Sequence, residues 1–295
     1  MQNLTVKTEA GKIWGLGLLL GVLALAVGSC FLTTEHQWWS DFSQYIAQAK
    51  AIISGDIPKF YQDNTFIVEN SPPGMGTNAY PWGFPLLLAG AMKLGASSLI
   101  ELKLVSLLSY AVCVLLTYWL LLRRAKPTAA FLLSCIFIAS TAFVGFPELI
   151  ASDMPYAMWT LLSLCLLEKA GLCSAPMVRH GYAILFALAA LAASMTRDNG
   201  IILILMIVAV QWLMWLKHRG YNGWFRKLTD LPWHFTAIDY VLIYTVFVAG
   251  FIGMGHLLPY GEGHHWELLS LITLESLTHN AAYNVVFMTD VFYFP

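Results

Sequence analysis

The feature that most limits what this chain can fold into is a succession of long runs without a formal charge. The first, 13–32, holds no Asp, Glu, Lys or Arg and, at ~1.5 Å per helical residue, is about long enough to cross a ~30 Å hydrocarbon core. Further apolar blocks follow at 104–122, 129–146, 156–167, 182–195, 201–216 and 241–258. In lipid the backbone must satisfy its own hydrogen bonds, so blocks of this kind fold as helices. The expected fold class is therefore all-α: a polytopic transmembrane bundle forming a single membrane domain over 1–295, with no repeat or linker to divide it. Composition agrees, since only 11% of residues are charged where a soluble domain carries roughly 25%. Blocks 156–167 and 182–195 are short and reach a spanning length only with flanking residues.

The first block also has the length of a secretion signal, and Val27, Gly28, Ser29 and Cys30 form a loose lipoprotein-type cleavage site. So many later spans favour a retained anchor instead. The five cysteines, at 30, 113, 135, 165 and 173, lack the short paired spacing of metal or redox sites and read as packing residues. Trp38, Trp39, Trp82, Trp212 and Trp215 lie near the ends of apolar runs, at the depth where an amphipathic ring suits the headgroups. With a formal net charge of -1, nucleic acid is excluded as a partner; membrane lipids are the expected surroundings.

Block 84–95 opens on Pro85, contains Lys93 and is too short to cross, so it is expected to be re-entrant. That choice fixes the side of every later loop. It puts Lys7, Lys12, Arg123, Arg124, Lys126, Lys169, Arg179, Lys217, Arg219, Arg226 and Lys227 on the cytoplasmic side. Only Lys50, Lys59, Lys93, Lys103 and Arg197 remain outside, as the positive-inside rule asks. Most acids fall outside. The chain is accordingly expected in the plasma (inner) membrane, with any active site on the outer face.

The largest polar insertion is the outer loop 33–82. Within it Phe42, Tyr45, Ile46, Ala49, Ile52 and Ile53 recur at helical spacing, predicting an amphipathic helix over about 41–54 that lies flat on the membrane. Ser40 is its expected cap and Gly55 its stop, with Gln44, Gln48 and Lys50 on the wet face. Asp41, in its first turn, has two readings: an acid complementing the helix dipole, or a carboxylate held at headgroup depth where a lipid phosphate and a water-soluble acceptor both reach it.

The run Ser40-Asp41-Phe42 with Tyr45, Ala47, Ala49 and Gly55, followed by Tyr80-Pro81-Trp82-Gly83-Phe84-Pro85-Leu86-Leu87, resembles the GT-C membrane glycosyltransferases, which include protein mannosyltransferases and lipid A aminoarabinose transferases. Ala151-Ser152-Asp153-Met154-Pro155 resembles the second acidic loop of that superfamily, and Thr196-Arg197-Asp198-Asn199-Gly200 its arginine-containing turn. The resemblance implies transfer of a sugar from a polyprenyl-phosphate donor to an acceptor on the non-cytoplasmic face, with inversion. The acceptor, whether glycan, lipid or protein, stays open. Asp41 would be the general base, Asp153 would orient the acceptor or the base, and Arg197 and Lys103 would supply positive charge to the departing phosphate. Many relatives carry two adjacent acids where Ser40 precedes Asp41, so neither metal nor other cofactor is assigned. Relatives also tend to be longer, which suggests a truncated member.

Each residue has a plainer reading as well. Ser152, Asp153 and Pro155 make an ordinary helix start. Arg197 can be a turn residue snorkelling to the interface, and Lys103 an anchor for a helix end. His256, His264 and His265 with Glu262 and Glu267 match no metal spacing and receive no role. Two other functional classes stay open: a transporter or lipid flippase, for which charges within spans and matching broken helices are expected, and a non-catalytic membrane subunit or remnant.

Overall fold

A computed structural model describes residues 2–36, 41–70, 77–219 and 233–258. Ser40, Trp38 and Trp39, the Pro72–Gly76 break, and His264, His265, Glu262 and Glu267 lie outside these. The chain is an all-α bundle, in this order: α1 (Gln2–Ser29), α2 (Phe42–Ser54), α3 (Ile57–Glu69), α4 (Gly83–Lys93), α5 (Leu99–Leu121), α6 (Pro127–Ala139), α7 (Thr141–Val144), α8 (Asp153–Leu172), α9 (Pro176–Thr196), α10 (Ile202–His218) and α11 (Ala237–Leu257).

Among the described residues, five stretches are long and apolar enough to cross a bilayer: Gly11–Ser29, Leu99–Leu121, Pro176–Thr196, Asp198–Leu216 and Ala237–Leu257. This is a multi-pass membrane protein. The block expected as one span at 129–146 is broken instead: Ser140 leaves the helix with ψ 120°, and Thr141–Glu148 departs from α6 at 60°. The 13 residues of α6 reach only ~20 Å on their own. Block 156–167 lies inside the 20-residue α8, about 30 Å long. Asp153 at its start pairs with Arg197, and Glu168 near its end pairs with Arg123 beyond α5, so α8 runs the full depth of the bundle.

Two cores hold the long helices. One joins α8 to α11 around Phe186, Ile207, Ile243 and Phe247, with Ala183, Ala187, Ala190 and Ala193 on α9; small residues there let neighbouring backbones approach closely. The other packs α1, α5 and α6 around Leu20, Tyr110, Val114 and Tyr118. Helix starts follow local sequence. At α5, Ser98 and Glu101 form a capping box, and at α11 Thr236 and Asp239 form another.

Both ends of α4 sit at the same end of the bundle. Its first residue, Gly83, faces Met195 and Thr196 at the end of α9. The first turns of α5, which follows α4, meet the segment just beyond α1, where the Lys103 ammonium donates to the Thr33 carbonyl at 2.9 Å. With 11 residues, ~17 Å of helix, α4 is too short to cross a ~30 Å hydrocarbon core.

The loop 33–82 differs from its sequence reading in three ways. The flanking position of α2 is Asp41 rather than Ser40. Much of its apolar face is covered by protein, because Phe42, Tyr45 and Ala49 pack on Phe84, Leu88 and Ala89 of α4, while Ile53 stays exposed. Gln48, assigned to the wet face, is fully buried: it donates to the Tyr80 carbonyl at 2.9 Å and accepts from the Tyr80 N–H at 3.2 Å. A returning strand of chain covers that face, and periodicity within α2 carries no trace of it. The loop also holds α3, which fastens to this return through Asn64 and the Asn78 carbonyl, 3.0 Å apart. Gly55 ends α2 as expected, in the left-handed region at φ 77°.

Candidate active site

Five polar side chains from three parts of the chain meet at the end of the bundle where α1 finishes. Asp41 immediately precedes α2. One turn on, the Tyr45 hydroxyl donates to its Oδ2 at 3.4 Å, and the same hydroxyl lies 3.2 Å from the Ser152 Oγ. Ser152 precedes α8, whose first residue, Asp153, accepts from the Arg197 guanidinium at the end of α9. Three of the four residues singled out by sequence, Asp41, Asp153 and Arg197, therefore belong to one connected group.

Local sequence explains each placement. Gly55 and the apolar face of α2 fix that helix against α4, and the Gln48 bonds to Tyr80 hold the Tyr80-Pro81-Trp82 return beside it. The Tyr45 ring is then trapped between Tyr80 and Phe84, with centroids 5.2 and 5.1 Å away. Arg197 leaves α9 with extended φ and ψ of -150° and 140°, and the chain turns through Asp198–Ile201. A Cβ at Gly200 would stand 2.3 Å from the Ser194 nitrogen, so only glycine lets this turn fold back on α9. Gly83 does the same from the other side, where a Cβ would stand 2.6 Å from Thr196 Oγ1.

The electrostatics are mixed. Asp153 and Arg197 are each more than a third exposed, whereas Tyr45 and Ser152 are buried. Burial chiefly pushes the Tyr45 phenol above its ordinary range, and the Asp41 charge adds to this against the Ser152 bond and Arg197. The phenol thus keeps its proton at neutral pH and can donate a hydrogen bond. Ser152 occupies a helix-start position, but its hydroxyl makes no cap bond and is turned to Tyr45.

Lys103 lies in a neighbouring group. Its side chain is fully buried, and its ammonium donates to Thr33 and to the Glu35 carbonyl. Thr33 in turn donates to Glu148 at 3.0 Å, and the His36 ring lies 5.3 Å from the Phe42 ring, tilted by 40°. Burial and the Lys103 charge hold the His36 imidazole below its usual value, against Glu148. This group fastens the segment that leads from α1 to Asp41. Tyr45 and Ser152 carry no catalytic role in the sequence reading; the signal for the first is a Tyr four residues after an Asp on one helix face.

No family model, curated protein or solved structure matches the chain.

Proposed function

We propose that this chain is a membrane glycosyltransferase of GT-C type, moving a sugar from a polyprenyl-phosphate donor to an acceptor on the non-cytoplasmic face with inversion. One observation carries the reading: residues far apart in sequence, Asp41, Asp153 and Arg197, converge at one end of a transmembrane bundle, beside the short apolar helix α4. Two carboxylates and a guanidinium at that depth match a reaction whose donor is anchored in lipid and whose acceptor comes from water.

In the proposed step the acceptor hydroxyl oxygen bonds to the anomeric carbon as the bond from that carbon to the phosphate oxygen breaks. The hydroxyl proton passes to the Asp41 carboxylate, and the electron pair leaves with the phosphate. The leaving anion needs no proton but does need positive charge, which Arg197 supplies, oriented by Asp153. Lys103 acts from further back, by fixing the loop that carries Asp41. Charge placement supports this class over a transporter. In α5, α8, α9 and α11 every Asp, Glu, Lys and Arg lies within five residues of a helix end, leaving the middle of these spans without a charged pathway.

The deciding experiment offers purified protein a panel of polyprenyl-phosphate sugars and scores release of polyprenyl phosphate. Release from at least one donor is expected, in an amount matching sugar transferred. No release from any of them by a folded sample would overturn the reading in favour of a non-catalytic subunit.

A further inference from the structure

We infer that Tyr45 is a positioning residue, whose hydroxyl ties the Asp41 carboxylate to the start of α8 and so holds the base in register with the Asp153–Arg197 pair; its catalytic side rests on the glycosyltransferase reading. The geometry sets the direction of the chain. An ionised carboxylate accepts only, so the Tyr45 O–H, 3.4 Å from Asp41 Oδ2, donates to it. A phenol has one proton, so across the 3.2 Å contact with Ser152 it accepts, and Ser152 donates. The order Ser152 to Tyr45 to Asp41 follows without further assumption. It accounts for two features that packing leaves unexplained: a buried phenol beside a carboxylate, and a helix-start serine whose hydroxyl caps nothing.

Asp41 precedes α2 and makes no side-chain cap bond to it, so the contact with Tyr45 adds an orientation that the helix start does not give. The ring of Tyr45 is held by Tyr80 and Phe84, which leaves its hydroxyl little freedom to follow a drifting Asp41. While Asp41 is anionic the link favours it in place. Once Asp41 takes the acceptor's proton, the bond to Tyr45 can run in the opposite direction, so the same contact serves both protonation states.

The test uses the full chain in detergent or bilayer, with Tyr45→Phe, Ser152→Ala and Asp41→Ala singly and with the two doubles that contain Tyr45→Phe. Phe keeps the ring packing, so folding is expected to survive, and Ser152→Ala attacks the same link from α8 should it not. If the hydroxyls form one link, each double lowers the melting temperature by about as much as its larger single. Additive losses in either pair overturn the link. For turnover, Tyr45→Phe is expected to lower kcat roughly 10-fold with donor KM unchanged. An unchanged kcat overturns the positioning role even where melting is non-additive. If the wild type releases no polyprenyl phosphate from any donor, glycosyl transfer falls, while the melting cycle still decides the link.

Discussion

Arg197, the residue that ends α9, places its guanidinium on the carboxylate of Asp153, the residue that begins α8. They meet because α8 and α9 form an antiparallel hairpin that runs to the far end of the bundle and back. The pair is more than a third exposed on both sides, and such pairs contribute at most about 1 kcal/mol to stability.

Arg197→Ala is therefore expected to leave melting nearly unchanged while lowering kcat/KM for the lipid-linked donor at least 10-fold, since the departing phosphate loses its cation. Arg197→Lys is expected to recover only part, because an ammonium cannot hold Asp153 and a phosphate in the forked geometry of guanidinium. Steady-state kinetics beside thermal unfolding read the two effects separately; full activity in the alanine variant removes Arg197 from the site.

Gly83 tests how α4 is seated. A Cβ there would lie 2.7 Å from the Met195 carbonyl oxygen as well as against Thr196, and backbone cannot swing aside as a side chain can. Gly83→Ala is expected to destabilise by ~1–3 kcal/mol, and Thr196→Ala in addition is expected to recover only a fraction. Wild-type melting in Gly83→Ala would show that α4 and α9 do not approach this closely.

The His36 imidazole, held below its unfolded value by burial and Lys103, gives stability a pH dependence of known sign. Because the unfolded chain takes up the proton first, stability falls as pH drops through the unfolded value near 6.5, until the folded value is reached. Wild-type melting temperature should decline over that window, and His36→Asn should flatten the decline. An equal slope in both proteins would place the titrating group elsewhere.

Orientation in the membrane has its own test. In a cysteine-free background, Asp63→Cys on α3 is expected to react with an impermeant thiol reagent in intact cells, and Ala125→Cys between α5 and α6 only after permeabilisation. The full length of α5 separates them, so labelling both from one side would contradict the fold, and exchanged labelling would keep the fold but invert its orientation.

The helices were legible because apolar runs and their charged borders are local properties of the sequence. The shortness of α4 was legible for the same reason, from the length of its apolar run. What stayed hidden depends on partners distant in sequence. Gln48 sits on the polar side of α2 by period, and only the return of Tyr80 turns that side into an interior. Ser140 gives no sign that 129–146 breaks, since the run is apolar throughout. Asp41, Asp153 and Arg197 stood out as acids and a base beside helix ends, whereas Tyr45 and Ser152 had sufficient local explanations, as a membrane-facing ring and a helix-start serine. Lys103 was the reverse case: its charge suggested a phosphate, and its burial against the Thr33 and Glu35 carbonyls is visible only in three dimensions.

Asp41 carries the functional reading, and its substitution separates chemistry from structure. Asn suits a position flanking a helix start about as well as Asp, and its carbonyl oxygen still accepts from the Tyr45 hydroxyl, so Asp41→Asn keeps the shape of the site and removes the base. Stability is expected to change by no more than ~1 kcal/mol, the usual worth of a charge at a helix N-terminus. Turnover is expected to fall about 10²- to 10⁴-fold, the range a general base contributes, with donor binding near wild type because Arg197 is untouched. Asp41→Glu should be intermediate, since its carboxylate is displaced by one methylene from the acceptor hydroxyl. If Asp41 only complemented the dipole of α2, the Asn variant would lose a little stability and no turnover, and the proton would have to go elsewhere. Asp153 is the one other carboxylate in the connected group, so a large turnover loss in Asp153→Asn alone would transfer the role of base to it.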